Sequence, residues 1–208
     1  MACVAASFVY YLRVLLFSSP SDAQIDKFLA DAAQSQHSYD EVGATLNVVP
    51  TSYNVDHNRV LLGKGEADFH RAALAIRDWK MFDLGWARVY PPGAPIRTGE
   101  NVAVIARWLN LYFLNACRIV DTIHEHVPIQ RYGFAYGTLH DHAESGEERF
   151  VVEWSRKNDE VWYDVLAFSR PNQFLARIGY PFARNLQKKF TRDSKAAMVR
   201  AVSRLAQN

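Results

Sequence analysis

The stretch from Glu147 to Ser169, EERFVVEWSRKNDEVWYDVLAFS, decides the fold of this chain. It holds two runs rich in β-branched and aromatic residues, Glu147 to Ser155 and Val161 to Ser169. Only a few polar residues, around Lys157-Asn158-Asp159, separate the two runs. Such runs joined by a short polar turn predict an antiparallel hairpin.

Further strands precede this hairpin, and a long helix follows it. Alternation of apolar and polar residues predicts strands over Leu84 to Tyr90, Val102 to Trp108, Leu111 to Glu125 and Tyr132 to Leu139. Nearer the N-terminus, the pattern predicts a helix from Ser21 to Gln34, a strand from Asn54 to Leu62 and a helix from Glu66 to about Phe82. Helical spacing returns from Pro171 to Ala206, where Phe182, Leu186 and Phe190 share one stripe.

This order of elements predicts an α+β fold. Consecutive antiparallel strands followed by a long amphipathic helix favour a curved sheet wrapped around that C-terminal helix, the helix-grip arrangement, with a cavity between them. At 208 residues and 49% hydrophobic composition, the chain is expected to form a single domain over residues 1–208. Residues 1–50 then form an N-terminal strand–helix extension packed on it.

The N-terminal segment is apolar but does not have the pattern of a secretion signal. Its one charge, Arg13, falls inside the apolar run from Met1 to Phe17, and the run is shorter than a membrane-spanning helix requires. We therefore expect a structured first element, a strand, and a cytoplasmic protein. Two cysteines, Cys3 and Cys117, exclude a disulfide scaffold and a four-cysteine zinc site.

Several phrases resemble one protein family in a fixed order. They are Ser38-Tyr-Asp-Glu-Val-Gly-Ala-Thr45, Leu61-Leu-Gly-Lys-Gly65, Cys117-Arg-Ile-Val120, Gly133-Phe-Ala-Tyr-Gly-Thr-Leu139, Gly146-Glu-Glu-Arg-Phe150 and Asp193-Ser-Lys-Ala-Ala-Met198. Together they resemble the DUF1990 family, whose function is unknown, over Tyr11 to Val202. That family is similar to START-like helix-grip proteins, among them lipid carriers, hormone receptors and cyclases. The resemblance implies a hydrophobic pocket but no particular reaction. One departure is His140-Asp141, where the family has Pro-Gly.

Carboxylates on the hairpin are the first candidates for chemistry. If Phe150, Val152 and Trp154 face the helix, Glu148 faces it too and ends in the cavity wall. Burial there raises a carboxyl pKa and suits it to acid–base catalysis, with His142 and Tyr136 as partners. The alternative for Glu148 is a structural ion pair with Arg131 or Arg149.

Aromatic residues are the candidates for ligand binding. Tyr132, Tyr136 and Thr138 alternate along one predicted strand and would place polar groups inside an apolar pocket. Trp154 and Phe168, on the neighbouring strands, complete the predicted ligand-binding set with Tyr132 and Thr138. Core packing is the alternative role for most of these rings.

Histidine pairs and a glycine loop are weaker signals. His124/His126 and His140/His142 are each two residues apart, and His140, His142 and Glu147 nearly match the first metal motif of the cupins. The second cupin motif is absent, so we predict no metal and no cofactor. Gly63-Lys64-Gly65 lacks the remaining residues of a nucleotide-binding motif and predicts a tight turn.

The C-terminal region is the most basic part of the chain. Residues 170–208 hold nine basic residues and one acidic residue, which makes this helix a candidate for weak contact with a membrane surface. No nucleic-acid-binding motif accompanies the charge, so no nucleic acid is expected. The leading interpretation is a protein that binds a small apolar or aromatic ligand. The alternative is a cofactor-independent cyclase, isomerase or hydrolase that uses the same cavity.

Overall fold

The computed structural model describes residues 15–140, 142, 144–171 and 180–205 of the chain. Within these residues, eight strands form one antiparallel sheet: β1 (Leu15–Leu16), β2 (Asn54–Lys64), β3 (Ala87–Tyr90), β4 (Asn101–Trp108), β5 (Leu111–Glu125), β6 (Gln130–Thr138), β7 (Glu144–Ser155) and β8 (Glu160–Pro171). The order across the sheet is β2-β8-β7-β6-β5-β4-β3, and β1 pairs with the start of β5. The hairpin predicted from the sequence is β7–β8, paired along its whole length.

In the described part of the chain, three α-helices accompany the sheet: α1 (Asp22–Ala32), α2 (Gly65–Arg77) and α3 (Tyr180–Leu205). The start of α1 is a capping box, in which Ser21 and Gln24 exchange side-chain and backbone hydrogen bonds. This pairing satisfies backbone N–H groups that the first helical turn leaves unbonded. Short 3₁₀ turns follow at Ala44–Leu46 and Lys80–Phe82.

A tight turn joins β2 to α2. Gly65 has φ +82°, a left-handed conformation that favours glycine. The Asp68 carboxylate accepts a hydrogen bond from the Lys64 N–H at 2.8 Å. A Cβ at Gly63 would lie only 2.1 Å from that carboxylate. An acidic side chain therefore occupies the place where a nucleotide-binding loop would hold phosphate.

The helix predicted over Glu66 to Phe82 ends earlier, at Arg77. Trp79 turns the chain with φ +54° and buries its indole, whose Nε1 donates to the Ala94 carbonyl at 2.8 Å. The chain then forms the 3₁₀ turn that places Phe82 in the core. Burying both rings favours the break over a continued helix.

The two faces of the sheet have separate cores. On the concave face, Phe82, Phe134 and Phe150 pack under Trp79, and α3 adds Met198. On the other face, α1 packs Ile25 and Phe28 against Ile105 and Leu114 of β4 and β5. Since buried aromatic rings contribute much of a core's packing energy, the concave cluster is a main contributor to the stability of the fold.

The predicted helix-grip architecture is confirmed. Helix α3 lies across the concave face, where the Tyr163 hydroxyl of β8 lies 2.9 Å from Ser194 Oγ. Further boundaries differ from the predictions: β8 extends to Pro171, where the long helix was predicted to begin, β3 begins at Ala87 rather than Leu84, and β7 begins at Glu144 rather than Glu147. Of the predicted first strand, Leu15–Leu16 form β1 and Phe17 lies in a bend after it, whereas residues 1–14 lie outside the described residues. Residues 172–179 and Ala206 of the predicted C-terminal helix also lie outside them.

Candidate functional site

A cavity of about 330 Å³ lies between the concave face of the sheet and the first half of α3. Its apolar wall includes Phe82, Trp86, Val104, Phe113, Leu186 and Phe190. Its polar groups include Asn115, Tyr136, His142, Glu144, Glu148 and Gln187. An apolar pocket with a few convergent polar groups is typical of small-molecule sites, and its volume lies within their usual range of about 300–1,000 Å³.

Glu148 and Tyr136 form a hydrogen-bonded pair in the cavity wall. They face each other across β7 and β6, and the Tyr136 hydroxyl donates to Glu148 Oε2 at 2.9 Å. Burial raises the pKa of Glu148 to about 8; the bond from Tyr136 lowers it, and the charges of Glu144 and Asp56 raise it. Burial also holds the pKa of Tyr136 well above its usual value. Near neutral pH the cavity therefore holds a carboxyl group close to its titration point.

His142 lies beside this pair, in the connection between β6 and β7. Its Nδ1 accepts a hydrogen bond from the Glu144 N–H at 3.0 Å, which places the proton of the neutral ring on Nε2. Burial lowers the pKa of His142 to about 4. The imidazole is therefore neutral at physiological pH.

A polar network holds the first turns of α3 over the mouth of the cavity. The Arg184 guanidinium donates to both oxygens of Asp56 on β2 and, at 2.7 Å, to Gln187 Oε1. The Gln187 amide donates to Glu144 and, at 3.0 Å, to Ser169 Oγ. Burial raises the pKa of Glu144. Residues from β2, β7 and β8 therefore anchor one end of the helix.

Glu147, the neighbour of Glu148, points to the opposite face of β7. Its buried carboxylate accepts hydrogen bonds from the Tyr39 hydroxyl at 2.8 Å, the Gly43 N–H at 2.7 Å and the Thr45 N–H at 2.9 Å. The Thr45 hydroxyl is a fourth donor. Glu147 therefore binds residues 39–45 to the outer face of the sheet, and every described contact of its carboxylate is structural.

Glu148 makes neither of the ion pairs considered as alternatives. Arg131 pairs with Glu125 and Glu153, and Arg149 pairs with Asp164. All these side chains lie on the outer face, which inward-pointing residues of β7 do not reach. Glu148 is thus held in the wall by Tyr136 and by packing.

Two of the predicted ligand-binding residues lie away from the cavity. Tyr132 packs edge-on against His124, with ring centroids 4.8 Å apart, at the far end of β6. Trp154 stacks on Phe69 of α2 and donates its Nε1 proton to Asp159 at 3.0 Å. The aromatic core around Phe150 separates both residues from the cavity.

The other two border the cavity without offering it a functional group. Phe168 is paired with Glu147 across β7 and β8, and its ring packs between Tyr39 and Tyr53 on the outer face. The Thr138 hydroxyl lies 2.6 Å from Ser38 Oγ and 2.9 Å from the Gly146 N–H. Glu148, Tyr136 and His142 are therefore the predicted residues that the structure brings together in the cavity.

The histidine pairs do not converge. His124 is on β5, whereas His140 is exposed in the turn after β6. Among the described residues, no group of three or more His, Cys, Asp or Glu side chains could hold a metal ion. The arrangement that resembled a cupin motif is thus spread over a turn and two faces of the sheet.

Comparison with known proteins places the chain in a family. The model of the family described as "Domain of unknown function (DUF1990)" matches residues 38–197. The chain belongs to the DUF1990 family. It is 35% identical over 205 residues to a UPF0548 protein of Dictyostelium discoideum, covering 89% of this chain and 94% of that protein. It is 32% identical over 199 residues to a UPF0548 protein of Deinococcus radiodurans, covering 90% and 98%.

One solved structure supports the fold of this DUF1990 chain. The hypothetical protein jhp0584 of Helicobacter pylori superimposes with a TM-score of 0.52 at 12% sequence identity. The match covers 73% of this chain and 89% of the other. At this identity the likeness concerns architecture alone.

The DUF1990 match contains both the outer Glu147 contacts and the cavity strands. It begins at Ser38, beside the segment that Glu147 binds, and includes the cavity-lining part of α3. It also contains Cys117 of β5, which is fully buried and whose pKa is raised by burial. Among the described residues, no helix is long and apolar enough to span a membrane.

Sequence reasoning missed the groups that α3 and β2 bring to the cavity. Glu144, Asp56, Arg184 and Gln187 come from three separate elements, and no local pattern joins them. Leu186 and Phe190 were assigned to a buried stripe but not to a cavity wall. No signal in the sequence marked these residues, because charged side chains are common along both β2 and α3.

Proposed function

We propose that this protein binds a small apolar or aromatic molecule in the cavity between the sheet and α3. The observation that carries the proposal is the cavity of about 330 Å³ itself, an apolar space with one carboxyl–tyrosine pair in its wall. Protein interiors are normally close-packed, with few voids larger than a water molecule. A space of this size, retained beside a dense aromatic core, favours a site for a ligand over a packing defect.

The cavity wall also supports selective binding. Apolar surface from Phe82, Phe113 and Phe190 gives affinity by excluding water from a ligand's body. Glu148 and Tyr136 can exchange hydrogen bonds with a polar group on the ligand. Burial strengthens such bonds and makes an unmatched polar group costly, so this pair would determine orientation and specificity.

A direct test combines native mass spectrometry with a cavity-filling variant. Ala167 lies opposite Glu148 in the sheet and borders the cavity, so Ala167→Leu fills part of the space. Ala67→Leu, on an exposed position of α2, is the matched control. When gently purified, the wild type and the control are expected to retain an organic molecule. If they are empty, they are expected to bind the uncharged dye prodan.

The Ala167→Leu variant is expected to lose at least about tenfold in dye affinity, a difference of about 1.4 kcal/mol. Equal binding by all three proteins, each shown to be folded by urea denaturation, would contradict the proposal. A double variant with Ala106→Leu, on β4 across the cavity, checks the result from a second wall.

A second candidate function is acid–base catalysis in the same cavity. The observation that favours it is the carboxyl group of Glu148, whose pKa of about 8 lets it both give and take a proton near neutral pH. Glu148→Gln is then expected to abolish turnover of a retained molecule and leave its binding intact. Unchanged turnover in that variant would assign Glu148 to binding alone.

The basic surface of α3 remains a candidate for weak membrane-surface contact. Part of its charge is used within the fold, since Arg184 pairs with Asp56 and Lys189 with Asp193. Sedimentation with anionic vesicles, compared with neutral ones, tests the contact made by the exposed remainder.

A further inference from the structure

We propose that the ligand carries a protonated amine on its apolar body and that this amine binds Glu148. The inference rests on the proposed function and adds the chemical class of the ligand. Three features of the cavity support it. The Glu148 carboxyl can accept a further hydrogen bond, Arg184 is paired with Asp56, and the described residues around the cavity include more acidic than basic groups.

The Glu148 carboxyl group has capacity for a further donor. A carboxylate can accept about four hydrogen bonds. Across the described part of the chain, the Tyr136 hydroxyl is the one donor to it, through Oε2. The side chain is half-buried and borders the cavity, so its remaining accessible surface opens to a ligand. Oε1 is therefore placed to accept a bond from an N–H group.

Arg184 does not neutralise Glu148. Its guanidinium makes a two-point contact with Asp56 and a third bond to Gln187. Such bidentate pairs are among the stronger charge-assisted contacts, so the arginine is held at the mouth of the cavity. The Gln187 amide in turn donates a hydrogen bond to Glu144. The positive charge of Arg184 is thus already matched by Asp56.

The charges bordering the cavity favour a cation. Among the described residues, Asp56, Glu144 and Glu148 border it, and Arg184 pairs with Asp56; Glu148 carries its charge once the pH exceeds its pKa of about 8. An anionic ligand would meet repulsion that a low-dielectric cavity strengthens, whereas an ammonium group would be attracted. Tyr136 and Phe82 also present aromatic surface to the cavity, and the faces of such rings attract a bound cation.

The raised pKa of Glu148 agrees with binding of an ammonium group. Burial raises its pKa to about 8, and Glu144 and Asp56 raise it further against the bond from Tyr136. A bound ammonium would favour the charged carboxylate and lower that pKa. Among the described residues, the charged and titratable groups around Glu148 are Cys117 on β5, Tyr136 on β6, His142 between β6 and β7, Glu144 on β7, Tyr163 on β8, Asp56 on β2 and Arg184 on α3.

The test compares three probes with one apolar skeleton. Displacement of prodan from the full-length protein is measured with 2-naphthylmethylamine, 2-naphthylmethanol and 2-naphthoate at about pH 8. We expect the amine to displace the dye at a concentration at least about tenfold below that of the alcohol, with the naphthoate weakest. Below pH 8 the amine's advantage should fall by up to about tenfold per pH unit, as Glu148 takes up its proton.

Variants separate Glu148 from general effects of charge. Glu148→Gln should bring the amine and the alcohol within about twofold of each other, each probe being compared with the prodan affinity of the variant itself. Glu153→Gln, on the outer face of the same strand, should retain the full preference for the amine. Tyr136→Phe leaves the Glu148 carboxyl in place and should retain part of the preference for the amine.

Each remaining outcome has a distinct meaning. Dye binding with equal affinities for the amine and the alcohol in the wild type overturns the inference and leaves the proposed function standing. Preferred binding of the naphthoate also overturns it. If neither prodan nor any of the naphthalenes binds, the proposed function fails and this inference fails with it.

Discussion

Glu147 and Glu148 are consecutive residues whose carboxyl groups lie on opposite faces of the same strand. Glu147 accepts hydrogen bonds from Tyr39, Gly43 and Thr45 on the outer face, whereas Glu148 borders the cavity and is bonded to Tyr136. The first carboxyl group is surrounded by donors and the second by apolar surface. The alternation of β7 thus places one glutamate in a structural hydrogen-bond network and the other in the cavity wall.

Replacement of Glu147 by glutamine is expected to destabilise the fold strongly. The amide turns one acceptor oxygen into a donor facing the donors of residues 39–45, so the free energy of unfolding should fall by about 2–4 kcal/mol. Urea denaturation measures this loss, and hydrogen exchange at Gly43 and Thr45 should accelerate. Glu153→Gln, a partly exposed ion-pair partner, should cost about 1 kcal/mol or less. A loss no larger than this control would contradict the structural role of Glu147.

Replacement of Glu148 by glutamine is expected to stabilise the protein at alkaline pH. The folded-state pKa of about 8 lies above the ordinary value of 4.5, so folding holds a proton that the unfolded chain releases. The wild type therefore loses stability as pH rises from about 4.5 to 8, and the variant lacks that loss. Urea denaturation at about pH 5 and pH 8 should show the gain at the higher pH. A gain independent of pH would indicate a packing effect instead.

Replacement of His142 by glutamine is expected to act in the acid range. Its folded-state pKa of about 4 lies below the ordinary 6.5, so the unfolded chain takes up a proton first as pH falls. The neutral ring's contribution to stability is thus complete above about pH 6.5 and is lost between 6.5 and 4. Relative to the wild type, His142→Gln should show a flatter pH dependence in that window. Parallel stability curves would mean that the ring titrates normally.

Replacement of Arg184 by methionine is expected to release the first turns of α3. It removes the two-point contact with Asp56 and the bond to Gln187, at a cost of about 1–2 kcal/mol in the free energy of unfolding. Stopped-flow measurement should show faster dissociation of prodan, since this network closes the cavity mouth. Arg192→Met, at a largely exposed position of the same helix, should change both quantities little. Equal effects of the two variants would argue against a closing role.

Local pattern predicted the sheet because each strand carries its own alternation. The inward direction of Glu148 followed from Phe150 and Trp154 by counting in twos, and that step needed no tertiary information. The sequence also predicted the turn at Gly65, because the conformation of that turn depends on the glycine itself and its immediate neighbours. These parts of the structure depend on residues that are close in sequence.

Which residues line the cavity depends on contacts between residues that are far apart in the sequence, and no local pattern contains that information. Tyr132 shares a face with Tyr136, yet the curvature of the sheet and the packing of α2 leave it outside the cavity. Arg184 and Asp56 meet across 128 residues of sequence, so only the assembled fold reveals their contact. Phe168 was chosen for its ring, whereas its pairing with Glu147 turns that ring to the outer face.

The buried thiol of Cys117, in the core beside the cavity, offers a chemical probe of how often the sheet opens. It is fully buried on β5, close enough to Glu148 for their charges to interact, and burial raises its pKa, so alkylating reagents reach it only when the surrounding strands separate. In a Cys3→Ser background, the rate of its modification reports how often this part of the sheet opens. A molecule that occupies the cavity and holds the strands together would slow that reaction. Candidate ligands could thus be ranked by the protection of a single sulfur atom.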